Sequence, residues 1–170
     1  MPERSPRVPR SESGFTLGEL VTVLVVLGII SAVAVSRMNN DPVLLSAQAE
    51  QLASDIRYVQ TLAMTQGQNF SISFPSTTSY QFLNASGAVV VHPATGSSAA
   101  IVLGAGVTVA LQALSPSGNA IGFEQRGIPL SVSTPATFNG PLTAQASIVL
   151  TKDAASRTLK IDYQTGKVTP

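Results

Sequence analysis

A single carboxylate, Glu19, lies near the start of a long apolar segment. Of all the residues in this chain, it most clearly requires a partner group. From Phe15 to Ser36 there are 22 residues, and Glu19 is the only charged one. An ionised carboxylate in hydrocarbon costs at least a few kcal/mol, so it needs a positive partner at the same depth. The nearest candidate is the α-amino group that a cut between Gly14 and Phe15 would create. The predicted chemistry is therefore ion pairing of Glu19 with a new N-terminus.

The apolar segment has the length of a membrane span. As a helix, 22 residues extend roughly 33 Å, which is close to the roughly 30 Å of bilayer hydrocarbon. Arg4, Arg7 and Arg10 precede the segment and only Arg37 follows it closely, which predicts a cytoplasmic N-terminus. We expect residues 1–14 to be a cytoplasmic leader, 15–38 to be a transmembrane helix and 39–170 to form an external globular domain.

Two other interpretations of this segment stay open. The basic start, apolar middle and Ala32-Val33-Ala34 also fit a secretory signal peptide that is cut after Ala34 and releases an unrelated exported protein. A plain uncleaved anchor is the other alternative. A carboxylate at the head of the apolar region is atypical of a signal peptide, and an uncleaved anchor leaves Glu19 unpaired.

The segment Gly14-Phe15-Thr16-Leu17-Gly18-Glu19 resembles the G-F-T-L-x-E motif of type IV prepilins and type II secretion pseudopilins. The resemblance implies that prepilin peptidase cuts between Gly14 and Phe15 and methylates the amino group of Phe15. It also implies that Glu19 pairs with the N-terminal amine of a neighbouring subunit. Gly18 departs from the family pattern, which has a large aliphatic residue at this position.

The rest of the chain predicts one more helix followed by short strands. Asp41 and Pro42 suit a helix start, Gly67 suits a helix end, and an apolar stripe with alternating spacings of four and three runs between them. The stripe comprises Leu45, Ala49, Leu52, Ile56, Val59 and Ala63, and we expect it to pack on a sheet rather than to form a coiled coil. After this helix, 42–66, we expect six to nine strands, with loops at 92–99 and 131–145. The predicted fold class is α+β: a long N-terminal helix, transmembrane in its first half and amphipathic in its second, packed on antiparallel sheet.

More narrowly, the chain resembles the GspH/FimT family of minor pseudopilins and minor pilins. The likeness rests on the motif, on residues 52–64, on Ile121-Gly122-Phe123 with Gly127, and on 157–161 ending at Gly166-Lys167-Val168. It implies a minor pseudopilin of a type II secretion system, anchored in the bacterial inner membrane with a periplasmic domain. The implied partners are prepilin peptidase, other pilins or pseudopilins, and the inner-membrane assembly platform. The alternative is a FimT-like minor pilin of type IV pili, with a role in DNA uptake.

Composition gives little support for an enzyme. The chain has no cysteine, so a disulfide framework and a thiolate metal site are excluded. The single histidine, His92, precedes Pro93 and is expected in a surface loop. The acidic residues are scattered, and no phosphate-binding glycine loop is present. We expect no catalytic residues, no metal and no cofactor.

Bulk charge does not favour nucleic acid either. Without residues 1–14 the chain has seven basic and seven acidic side chains. A weak basic cluster near the C-terminus is the only support for a domain that captures DNA, or a secreted substrate, on the same anchor. This cluster of possible DNA contacts comprises Lys152, Arg157, Lys160 and Lys167.

Overall fold

The chain divides into two compact units, residues 1–39 and residues 40–170. The computed structural model describes residues 15–36, 41–112, 118–134 and 137–170. In the first unit, helix α1 runs over Leu17–Ser36. Its many valines and isoleucines lower helix propensity only slightly, and it contains no proline. Among the described residues, no helix qualifies as long and apolar enough to span a membrane.

The second unit, which we call the head domain, begins with helix α2, Asp41–Gln66. The predicted helix over 42–66 is therefore present, and Gly67 follows it with a φ of 62°, the left-handed conformation of a helix C-terminal glycine. All six residues of the predicted apolar stripe are buried. Asp55 is also buried, although the sequence pattern places it off the stripe.

Eleven strands follow in the described part of the head domain. They are β1 (Phe70–Ser76), β2 (Ser79–Asn84), β3 (Val89–Val90), β4 (Ile101–Val102), β5 (Thr108–Gln112), β6 (Ala120–Phe123), β7 (Pro129–Thr134), β8 (Thr137–Pro141), β9 (Ala146–Lys152), β10 (Ala155–Ile161) and β11 (Val168–Thr169). The larger sheet has the order β3-β2-β1-β6-β7-β8, with β4 also paired to β2. The smaller sheet has the order β11-β10-β9-β5, and all pairings are antiparallel.

Helix α2 contacts both sheets, and the main core lies where the three meet. The helix stripe packs there with the inward side chains of the strands, such as Ile72 of β1, Leu150 of β9 and Leu159 of β10. Strand alternation in β10 buries Leu159 and Ile161 and leaves Thr158 and Lys160 exposed. The α+β architecture expected from the sequence is confirmed.

One stretch expected to be a loop is instead strand. Residues 131–145 contain the end of β7, all of β8 and the connection to β9. Leu130, Ser131 and Val132 are all buried, so both faces of β7 are covered, and β-branched threonines such as Thr137 favour strand. The serines, glycines and prolines of this segment conceal the strand pattern in the sequence.

Candidate functional site

The side chain of Glu19 closes the first turn of α1. Its Oε2 atom lies 3.4 Å from the backbone nitrogen of Thr16 and 3.4 Å from the Thr16 hydroxyl. In return, the Glu19 backbone N–H donates to the Thr16 hydroxyl at 3.2 Å. This reciprocal arrangement is a capping box, in which two helix N-terminal N–H groups find side-chain acceptors. Glu19 therefore also has a local role in starting the helix.

The capping box turns the carboxylate back toward the N-terminal end of the chain. Phe15, the residue expected to become the new N-terminus, is exposed and directly precedes Thr16. Gly14 lies outside the described residues. Sequence reasoning missed the role of Thr16, although the spacing T-x-x-E over residues 16–19 is the recognised signal for a capping box.

The chain segments that carry the GspH/FimT likeness meet around one glutamine of α2. The Gln60 side-chain amide donates to the Gly127 carbonyl at 2.8 Å and to the Thr165 carbonyl at 3.0 Å. One turn earlier, the Arg57 guanidinium donates to the Val168 carbonyl at 2.9 Å. These bonds attach the turn between β6 and β7, and the end of the chain, to α2. The matched residues are thus a structural network.

Gly166 shows how closely these segments pack. It has a φ of 67°, and a Cβ placed on it would lie 2.5 Å from Gln60 Nε2 and 2.7 Å from the Gly127 carbonyl oxygen. Neither distance is compatible with a real Cβ contact, so both the conformation and the space require glycine. The sequence gives no sign of this contact, since residues 60, 127 and 166 are far apart in the chain.

The last turn before β11 is held by a carboxylate. Asp162 Oδ1 accepts hydrogen bonds from the Thr165 backbone N–H at 2.8 Å, from its hydroxyl at 2.8 Å and from the Gln164 N–H at 3.1 Å. These donors, those of Thr165 first, hold the pKa of Asp162 below its usual value. The residue is partly exposed, and its carboxylate shapes the turn.

The basic residues considered as DNA contacts are not all on one surface. Arg157 and Lys160 lie three residues apart in β10, so their side chains project to opposite faces of the sheet. Arg157 lines a cleft with Ser46, Ala49 and Glu50 of α2 and with Pro170. Lys160 lies on the exposed face, Lys152 ends β9, and Lys167 lies exposed before β11. The structure thus separates Arg157 from Lys160, and the DNA contact stays a prediction.

His92 lies in a loop as expected, but the expectation that it is at the surface is wrong. The residue is 4% exposed, and its Nε2 atom lies 3.2 Å from Asp55 Oδ1. Tyr80, 1% exposed, donates its hydroxyl to Asp55 Oδ2 at 2.5 Å. Burial, followed by this hydrogen bond and the charge of Asp55, raises the pKa of Tyr80 well above its usual value. We call Asp55, Tyr80 and His92 the buried polar cluster; its members are too distant in sequence for spacing to reveal it.

The fold and the family match together place the chain in a class, the type IV pilin-like proteins. Within that class the chain belongs to the GspH family: residues 48–165, more than half of the chain, match the family described as Type II transport protein GspH. This is a family of structural pilin-like subunits.

Two solved structures are similar in fold. The type IV minor pilin FimU of Pseudomonas aeruginosa has 17% sequence identity and a TM-score of 0.50, over 76% of this chain and 90% of FimU. The minor pseudopilin EpsH from the Type 2 Secretion System of Vibrio cholerae has 12% identity and a TM-score of 0.46, over 74% of this chain and 94% of EpsH. At such identities the likeness to FimU bears on the fold alone. No curated protein sequence matches the chain.

Proposed function

We propose that this protein is a minor pseudopilin, a structural subunit of a type II secretion pseudopilus. Prepilin peptidase cuts between Gly14 and Phe15, residues 15–38 anchor the subunit in the inner membrane, and the head domain lies in the periplasm. Membership of the GspH family supports the type of subunit. The observation that carries the proposal is Glu19, a single carboxylate in the first turn of an otherwise uncharged apolar helix, next to the expected cleavage site.

The geometry around Glu19 supports the proposal of a further partner. Thr16 offers the carboxylate only neutral donors, and both lie at 3.4 Å, at the long end of hydrogen-bond geometry. Neutral donors orient a carboxylate but leave its full charge, which is expensive in hydrocarbon. The α-amino group of Phe15 from a neighbouring subunit would remove that cost. Pairing of this kind makes insertion of one subunit beside another favourable and sets the stagger between them.

Processing is tested by Gly14→Val, with Gly18→Val as the matched control. A side chain at residue 14 obstructs the peptidase, so we expect Gly14→Val to remain uncut. A Cβ at Gly18 meets nothing within 4 Å, so Gly18→Val should be cut normally. Mass analysis of the N-terminal peptide reads both cleavage and N-methylation of Phe15. Release of Phe15 from Gly14→Val would contradict the assigned site.

Assembly is tested by comparing Glu19→Gln with Glu19→Ala. Glutamine at the third helical position keeps the capping box but has no charge, whereas alanine removes both. If charge pairing drives assembly, both variants are processed and neither enters filaments, as read by cross-linking to the major pseudopilin. Normal assembly of Glu19→Gln would show that helix capping, and not charge, is the role of Glu19.

An in-frame deletion in the native host distinguishes a type II secretion subunit from a type IV pilus subunit. As a type II secretion subunit, the protein is required for release of secreted hydrolases, which then accumulate in the periplasm of the deletion strain. The other partners we propose are further pseudopilins and the inner-membrane assembly platform. Normal secretion with loss of pili would instead identify a FimT-like minor pilin.

A further inference from the structure

Asp55 is the centre of the buried polar cluster and accepts hydrogen bonds from three different segments. Gln51 Nε2, one turn earlier in α2, lies 3.1 Å from Asp55 Oδ1. The Tyr80 hydroxyl reaches Oδ2 from β2, and His92 reaches Oδ1 from the connection between β3 and β4. Asp55 and His92 are 5% and 4% exposed. A carboxylate this buried is tolerated because donors surround it.

The second nitrogen of His92 fixes which tautomer the ring adopts. The backbone N–H of Ala94 donates to His92 Nδ1 at 3.2 Å, so Nδ1 has its lone pair toward Ala94 and is the acceptor. The ring proton then lies on Nε2 and is donated to Asp55 Oδ1. Both ring nitrogens are thus used, one as a donor and one as an acceptor, by a neutral imidazole.

His92 also begins and closes a tight turn. Its N–H donates to the Ser97 carbonyl at 2.9 Å, and its carbonyl accepts from the Gly96 N–H at 2.8 Å. This turn, residues 92–97, joins β3 to β4, which pair with neighbouring parts of β2. Ala94 therefore couples the surface part of the turn to the buried ring.

The groups that face His92 come from two elements. Asp55 of α2 and the Phe82 ring of β2 contact it directly, and the Phe82 centroid lies 5.1 Å from that of His92. Gln51 and Tyr80 are bonded to Asp55, and Tyr58 of α2 packs on Phe82. Between residues 84 and 107 there is no other titratable side chain. The other charged residues of α2's central turns, Glu50 and Arg57, are exposed, and Arg57 is bonded to the Val168 carbonyl.

We propose that His92 is a proton sensor: protonation of its ring opens the 92–97 turn while the ring stays on Asp55. A second proton on the imidazole must go to Nδ1. The new Nδ1–H then points at the N–H of Ala94, so that two hydrogen-bond donors face each other. That hydrogen bond is lost, and Ala94 must move away. Attraction between the imidazolium and the Asp55 carboxylate retains the ring, so the change is confined to the turn. The result is a surface segment whose shape follows the protonation of one buried ring.

Amide hydrogen exchange on the full-length chain in detergent micelles tests this proposal. Between about pH 7.5 and about pH 5 we expect peptides covering 93–97 to lose roughly tenfold in protection, after correction for intrinsic exchange, because one turn-holding hydrogen bond is lost. Peptides from β9 and β10 should keep their protection. Equal protection of 93–97 at the two pH values would overturn the proposal.

The matched variant is His92→Gln, which keeps a donor for Asp55 and does not titrate in this range. Its 93–97 protection should be independent of pH, and a pH response like that of the wild type would assign the effect to another group and overturn the proposal. Nitrogen NMR of the wild-type ring provides a second readout that needs no variant. We expect the Nε2–H tautomer near neutral pH, and an Nδ1–H tautomer would refute the mechanism.

Discussion

Replacing Gly166 with alanine is expected to destabilise the head domain more than a glycine substitution in an open turn does. Gly67 is the natural comparison, because its φ of 62° matches the 67° of Gly166 while a Cβ on it meets nothing within 4 Å. Both substitutions force an alanine into the left-handed region. Only Gly166→Ala also places a methyl group against Gln60 and the Gly127 carbonyl.

The size of the effect follows from these contacts. The left-handed conformation costs a non-glycine residue about 1–2 kcal/mol, and this cost applies to both variants. At Gly166 the neighbouring oxygen belongs to the backbone, so relief requires the Gln60 side chain or the whole turn to move. Displacing Gln60 breaks its bonds to Gly127 and Thr165, each contributing about 1 kcal/mol. We therefore expect Gly166→Ala to cost about 2 kcal/mol more than Gly67→Ala.

Urea unfolding of the full-length chain in detergent, followed by far-ultraviolet circular dichroism, measures this difference. The urea slope should stay constant among the variants, so that the midpoints report stability directly. Gln60→Ala is the second control: combined with Gly166→Ala, it should recover part of the loss, since the methyl group then meets the Gly127 carbonyl oxygen but no longer Gln60 Nε2. Equal unfolding midpoints for Gly166→Ala and Gly67→Ala would refute the packing argument.

Three further predictions concern single groups in the head domain. Because folding raises the pKa of Tyr80, Tyr80 ionises in the unfolded chain first as pH rises. Its contribution to the free energy of unfolding is therefore fully present below about pH 10 and is lost above that pH. Alkaline unfolding curves of Tyr80→Phe should therefore lack this slope. The buried hydroxyl of Ser71 has no hydrogen-bond partner among the described residues, so Ser71→Ala should raise the free energy of unfolding by about 1 kcal/mol in urea titrations; a decrease would contradict this. Since Arg157 and Lys160 lie on opposite faces of β10, DNA titration at low salt should show no binding tighter than about 10 µM. Tight, salt-dependent binding lost in Lys160→Gln would instead support the DNA-contact hypothesis.

Much of the helix and strand pattern could be predicted because it depends on local spacing. The stripe of α2 repeats at intervals of three and four residues, and each of its members is buried as expected. The exception in this helix is Asp55, whose burial depends on donors from β2 and from His92. No helical period encodes a contact with a residue 37 positions away. β7 and β8 were missed for a related reason, since small polar residues conceal the strand period there.

The candidate site divides in the same way. Glu19 is conspicuous in the sequence because charge is rare in an apolar segment, and its capping role can be derived from the residue three positions before it. The convergence of Gln60, Gly127 and Gly166 could not be derived from the sequence. The two hydrogen bonds that Gln60 makes there span 67 and 105 positions of the chain. Such contacts are set by sheet topology, which spacing along a single sequence does not determine.

The bonds from α2 to the end of the chain have a consequence for the order of events in the cell. Arg57 and Gln60 bond to residues 168 and 165, which are 111 and 105 positions further along the chain. A polypeptide that emerges N-terminus first presents α2 long before its closing partners, and such distant contacts form late. Strand β1 can cover part of the apolar stripe early, but the part that packs on β9, β10 and β11 stays uncovered until almost the last residue has been delivered. Under the proposed topology, completion of export and completion of the head domain coincide, so a stalled or truncated chain would be exposed to proteases as an open helix.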